Sequence, residues 1–127
     1  MRDPPPRILV VDDVASIAEE LKLLLTLEGL PTVTASSVCD TLRALHAHPS
    51  ITVIVADVRL KAESGYDIPR AIRIDPDLAC KTYEIMFMTG EASLTETPLQ
   101  GSVLLKPFDL DQFIITLRTF LDKDCAA

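Results

Sequence analysis

The sequence predicts an α/β domain, a doubly wound sheet of five parallel strands with helices on both faces. Three observations predict it. Two apolar, largely β-branched runs, Ile8-Leu9-Val10-Val11 and Ile51-Thr52-Val53-Ile54-Val55-Ala56, lack the alternation of a half-exposed strand and read as strands buried on both faces. Each run ends in carboxylates, Asp12-Asp13 and Asp57 respectively. Strand-like and helix-like segments then alternate along the chain, which points to crossover connections and a parallel sheet.

Taken in order, residues 1–6, with Pro4-Pro5-Pro6, form an irregular leader without the apolar core of a signal peptide. The domain occupies residues 7–122, and residues 123–127 read as a tail. After the first strand, Val14, Ile17, Leu21, Leu24 and Leu25 give a helical stripe, which Gly29 is placed to end. Leu23 and Leu27 fall off that stripe and are candidates for an exposed contact. Residues 31–36 read as the second strand. Ser37-Val38-Cys39-Asp40 has the form of a capping box, opening a helix to about His48, and His46 and His48 at its end suit the helix dipole. The strand ending in Asp57 leads into a loop, Val58 to Ser64, and a helix from Gly65 to Ile74 whose first turn accommodates Pro69. Ile85 to Thr89 is the fourth strand and Ser102 to Lys106 the fifth. Asp109-Leu110-Asp111-Gln112 caps a last helix with the stripe Leu110, Phe113, Ile114, Leu117, Phe120 and Leu121.

A chain of 127 residues, 48% of them hydrophobic, is long enough for one domain with a real core. The net charge of −7 works against binding a phosphate backbone, so direct contact with nucleic acid is not expected. No apolar run approaches the ~20 residues needed to cross a bilayer. Cys39, Cys80 and Cys125 match neither a zinc spacing nor a disulfide framework; they read as reduced thiols of a cytoplasmic protein, serving as small apolar side chains.

In such a sheet, ligands bind beyond the carboxyl ends of the strands. The polar residues there are Asp12, Asp13, Asp57, Thr89 and Lys106. Together they offer carboxylates for a hard divalent cation, one carboxylate free to act as nucleophile, a hydroxyl, and an ammonium for anionic oxygen. Mg²⁺ takes one or two carboxylates, waters and phosphate oxygens, so the set suits phosphoryl transfer to Asp57.

The pattern Val10-Val11-Asp12-Asp13, Asp57, Gly65, Thr89-Gly90 and Lys106-Pro107-Phe108 resembles the receiver domains of two-component response regulators, over about Arg7 to Leu121. The resemblance implies the flavodoxin-like strand order 2-1-3-4-5. It implies that Asp57 accepts a phosphoryl group from a histidine kinase or a phosphotransfer protein. Mg²⁺ would be held by Asp12, Asp13, Asp57 and the backbone carbonyl of Arg59. Thr89 and Lys106 would contact the phosphoryl group, the Lys106-Pro107 bond would be cis, and Arg59 and Glu91 occupy positions that tune phosphate lifetime. The protein would not be an enzyme, beyond slow removal of its own phosphate.

Two departures from the family pattern bear on output. Val103 stands where the family usually has an aromatic switch residue. Only sixteen residues separate Thr89 from Lys106, and they include Pro98, so a fourth helix is expected to be short or disordered. Phosphorylation would then change the order of residues 90–101 and the surface offered to a downstream protein. Met1 at the start and the absence of a DNA-binding segment after Leu121 favour a single-domain regulator, the alternatives being a receiver excised from a hybrid histidine kinase and an interaction module that keeps the fold without phosphorylation. A haloacid-dehalogenase-type phosphatase would need an acid where Arg59 stands, and a Rossmann binder a glycine-rich turn where Asp12-Asp13 stands.

Overall fold

The computed structural model describes residues 4–89, 102–105 and 109–126, with side chains described for 4–89 and 109–122. Its elements are β1 (Ile8–Val11), α1 (Ala15–Leu27), β2 (Thr32–Ala35), α2 (Val38–Ala47), β3 (Val53–Asp57), β4 (Arg59–Leu60), β5 (Glu63–Ser64), α3 (Asp67–Ile74), β6 (Glu84–Thr89), β7 (Ser102–Leu105) and α4 (Leu110–Ala126). Five strands form one parallel sheet in the order β2-β1-β3-β6-β7. This is the expected 2-1-3-4-5 order, with β4 and β5 intervening in the numbering as a separate antiparallel pair. The expected loop over 58–64 is therefore a small hairpin.

The two buried runs behave as their composition requires. Along β1 and β3, Leu9, Val11, Ile54 and Ala56 pack on one face with Leu45 of α2 and Ile68 and Ile72 of α3. Ile8, Val10, Val53 and Val55 pack on the other with Ala18 and Leu25 of α1 and Phe113, Ile114 and Leu117 of α4. All eight strand residues are fully buried. At roughly 1.5–3 kcal/mol for each large aliphatic side chain taken out of water, this central pair anchors the fold.

Local details correct several expectations. Val14 and Ile17 are exposed, because α1 lies on the sheet through Ala18 and Leu25, with Leu21 partly buried. A small side chain lets the helix approach closely, so the contact face is turned away from the largest apolar residues. Leu23 and Leu27 are indeed exposed, at 60% and 75%. Gly29 has φ +79°, the left-handed conformation that ends a helix, and the N–H of Leu30 returns to the carbonyl of Leu25. At the start of α2, Ser37 Oγ accepts the N–H of Asp40, but the Asp40 carboxylate reaches back to the N–H of Ser36 rather than that of Ser37. Half of the capping box is thus shifted by one residue.

In α4, Leu110 is exposed and the remainder of the expected stripe is buried or partly so. The helix backbone runs on to Ala126, through most of the segment read as a tail. Cys39 and Cys80 are exposed, so neither serves as a small core residue. Residues 90–101, where the short fourth helix was expected, lie outside the described residues, as do Lys106 and Pro107. Among the described residues, no helix is long and apolar enough to cross a membrane.

Candidate phosphoacceptor site

The site is set by strand register. Val11 of β1 pairs with Ala56 of β3, which places the following residues, Asp12 and Asp57, level with each other at the carboxyl edge of the sheet. Both share the side-chain parity of the α1/α4 face, since β-strand side chains alternate. Asp13 follows directly. Carboxylate oxygens of Asp12, Asp13 and Asp57 lie within 4.8 Å of one another.

Asp12 is buried, with 1% exposure, whereas Asp13 and Asp57 are half-buried. The Asp12 carboxylate is fixed by the turn that leads into α1: its Oδ1 accepts the N–H of Val14 at 2.9 Å, and its own N–H donates to the Ala35 carbonyl at 3.0 Å. α1 begins immediately beyond, so its N-terminal dipole favours negative charge here. Asp57 Oδ1 accepts the N–H of Arg59 at 3.3 Å. Like charges at such separations repel by on the order of 3 kcal/mol per pair at an effective dielectric constant near 20, before screening by solvent. Three hard oxygen donors converging beside a helix N-terminus fit a small divalent cation such as Mg²⁺.

Gly65 is what lets the chain fold back under Asp57. A Cβ added there would overlap the Asp57 carbonyl oxygen and meet the Asp57 carbonyl carbon at 3.1 Å and the Val58 Cα at 3.3 Å. Its N–H donates to the Val58 carbonyl at 2.8 Å, and the N–H of Val58 donates to Met88 of β6 at 3.0 Å. Beside this cradle, Tyr66 meets Phe87 edge-on, with ring centroids 4.8 Å apart. The sequence marks Gly65 only by its spacing from Asp57; the reason for it is this close backbone approach.

Thr89 is buried at the end of β6, one residue beyond Met88, the register partner of Asp57. It pairs with Leu105, the last residue of β7, which Lys106 follows in sequence. Arg59 is exposed on β4, and its N–H reaches Asp57 Oδ1. Lys106, Pro107 and Glu91 lie outside the described residues, and Val103 is described as a backbone position of β7 paired with Phe87. The structure therefore brings together Asp12, Asp13 and Asp57, and places Thr89 one strand away at the same edge.

Comparison with known proteins points the same way. A profile described as the response regulator receiver domain matches residues 8–118. The transcriptional regulatory protein KdpE of Mycobacterium tuberculosis is 30% identical over 122 residues, which is 94% of this chain and 53% of that protein. The chain thus spans about half the length of the curated relatives it matches. Among solved structures, a response regulator receiver protein from Pseudomonas putida superposes with a TM-score of 0.78 at 29% identity, covering 93% of this chain and 99% of that one. A receiver domain protein from Clostridium thermocellum gives 0.79 at 28% identity, covering 95% and 98%.

Proposed function

This chain belongs to the response regulator receiver domain family, and on that premise we propose that it is a phosphoacceptor of a two-component relay, modified on Asp57. The observation that carries the reading is the convergence of three carboxylates on one sheet edge, with Asp57 among them. A phosphohistidine on a kinase or phosphotransfer protein is the donor. A carboxylate oxygen of Asp57 forms the new O–P bond as the P–N bond breaks, and the released imidazole nitrogen takes a proton from solvent. Asp12, Asp13, Asp57 and the carbonyl of Arg59 would hold Mg²⁺, which when bound would supply positive charge to the phosphoryl oxygens.

The chain's own groups do the remaining work. The N–H of Val14 holds Asp12 in place, leaving Asp57 as the acid at the end of the central strand. Thr89 and Lys106 contact the phosphoryl oxygens, and Arg59 and Glu91 tune the lifetime of the aspartyl phosphate. The product is a change in a protein surface rather than in a substrate, so the protein acts catalytically only on its own phosphate. The partners are a histidine kinase or phosphotransfer protein and a downstream protein, met in the cytoplasm without direct contact with nucleic acid.

Incubation with acetyl phosphate, with and without Mg²⁺, tests the reading by intact mass. Addition of one phosphoryl group that depends on Mg²⁺ is expected. Absence of any addition across a Mg²⁺ titration overturns it.

A further inference from the structure

The hairpin that follows Asp57 touches two distant parts of the molecule. Its root is tied to the site: the N–H of Arg59 reaches Asp57 Oδ1, Gly65 closes against the Asp57 carbonyl, and Leu60 is buried in the core beneath α2 and α3. Its other strand reaches a different helix. Glu63 Oε1 accepts the N–H of Val38 at 2.8 Å, a bond between residues 25 positions apart.

Val38 is the first residue of α2, where N–H groups have no acceptor within the helix itself. Ser37 Oγ serves the N–H of Asp40, and Glu63 serves that of Val38. A carboxylate at a helix N-terminus makes a charge-assisted bond that the helix dipole reinforces. One side chain of the hairpin thus contributes to the cap of α2.

We propose that the β4–β5 hairpin is a lever that reports the phosphorylation of Asp57 at the N-terminus of α2 through Glu63. The inference rests on Asp57 being the phosphoacceptor. A phosphoryl group adds charge and acceptor oxygens that compete for nearby N–H donors. The N–H of Arg59 is one of these donors, and its 3.3 Å bond to Asp57 is long enough to shorten. Arg59 pairs with Ser64, and Leu60 with Glu63, so a pull on β4 carries β5 with it. Glu63 is drawn from Val38, the first turn of α2 loosens, and the surface from Ser36 to Asp40 changes for a partner to read. This route is separate from the one expected through residues 90–101.

Amide spectra of the ¹⁵N-labelled full chain, recorded with Mg²⁺ and then with added beryllofluoride, test the lever. The Val38 amide proton is expected to shift upfield and to exchange faster with solvent when beryllofluoride binds. In Glu63→Ala it occupies that position beforehand and moves no further, while the amides of Val58 and Thr89 still respond. Glu63→Gln, which keeps a neutral acceptor, shows the Val38 response at reduced size. A Val38 signal unmoved in the unsubstituted protein, or still moving in Glu63→Ala, overturns the lever while the responses of Val58 and Thr89 leave the phosphoacceptor reading standing. No response at Val58 or Thr89 overturns both.

Discussion

Two groups of three side chains among the described residues bring potential ligand atoms within 4.8 Å of one another: Asp12, Asp13 and Asp57, and His46, Asp75 and Asp77. The first stands where β1 and β3 end, the second where α2 and α3 end, toward the opposite edge of the sheet. Their internal chemistry differs. In the second, Asp75 Oδ1 accepts the N–H groups of Asp77 and Leu78, at 3.0 and 3.3 Å, and Oδ2 lies 2.8 Å from His46 Nε2. The imidazole holds the Asp75 carboxyl below its usual range, with partial burial opposing it. That cluster brings its own basic partner and clasps two helices. The first is all carboxylate, with one member buried in rigid strand-end geometry, and it is the arrangement that gains from a cation.

The comparison breaks first at Asp57. Asp57→Asn keeps the size and register of the strand end, and uptake of the phosphoryl group from acetyl phosphate is expected to fall to background by intact mass, with the fold unchanged by circular dichroism. Uptake at the unsubstituted level would move the chemistry elsewhere. Gly65→Ala comes next. Its methyl group would press on the backbone of Asp57, and overpacking of this kind typically costs about 1–3 kcal/mol. Denaturant unfolding should show that loss, accompanied by slower phosphorylation because the acceptor itself is displaced.

Most of this site was legible in the sequence because its parts sit on strands. A fully buried strand announces itself by an unbroken apolar run, and the residue after the run falls at the sheet edge, so Asp12 and Asp57 could be placed by counting. Gly65 was visible as a spacing but not as a cradle. What could not be read depends on contacts between remote segments or on elements too short to show a period. The hairpin strands have two residues each. His46 and Asp75 are 29 positions apart, and Glu63 and Val38 are 25 apart, with no local pattern to pair them. The first turn of α1 was misread for another reason: a stripe begun at Val14 and Ile17 weights large side chains, whereas the contact there is made through Ala18, and the same stripe holds further on, at Leu21 and Leu25.

The two clusters also separate by their response to Mg²⁺. Asp13→Asn removes one charged donor from the strand-end group and should weaken Mg²⁺ binding by about tenfold or more in a calorimetric titration, since even indirect supports of a metal site are worth 10–100-fold. The matching change in the other group, Asp77→Asn, should leave that affinity unaltered. Equal losses would mean that Mg²⁺ distinguishes neither group, and the contrast drawn between them would fail.

The smallest effect is expected from His46→Ala. Because the imidazole lowers the Asp75 pKa in the folded protein, the pair adds stability that is present above the ordinary carboxylate value and is lost as pH falls through the folded value. Without the imidazole, the Asp75 pKa moves back toward its ordinary value and the linked loss on acidification shrinks. Thermal unfolding measured from neutral pH down to below the carboxylate range should therefore show His46→Ala less stable at neutral pH, with the gap to the unsubstituted protein closing in acid. A gap that is constant across that range would mean that His46 contributes packing alone, and the helix clasp would then owe nothing to its charge.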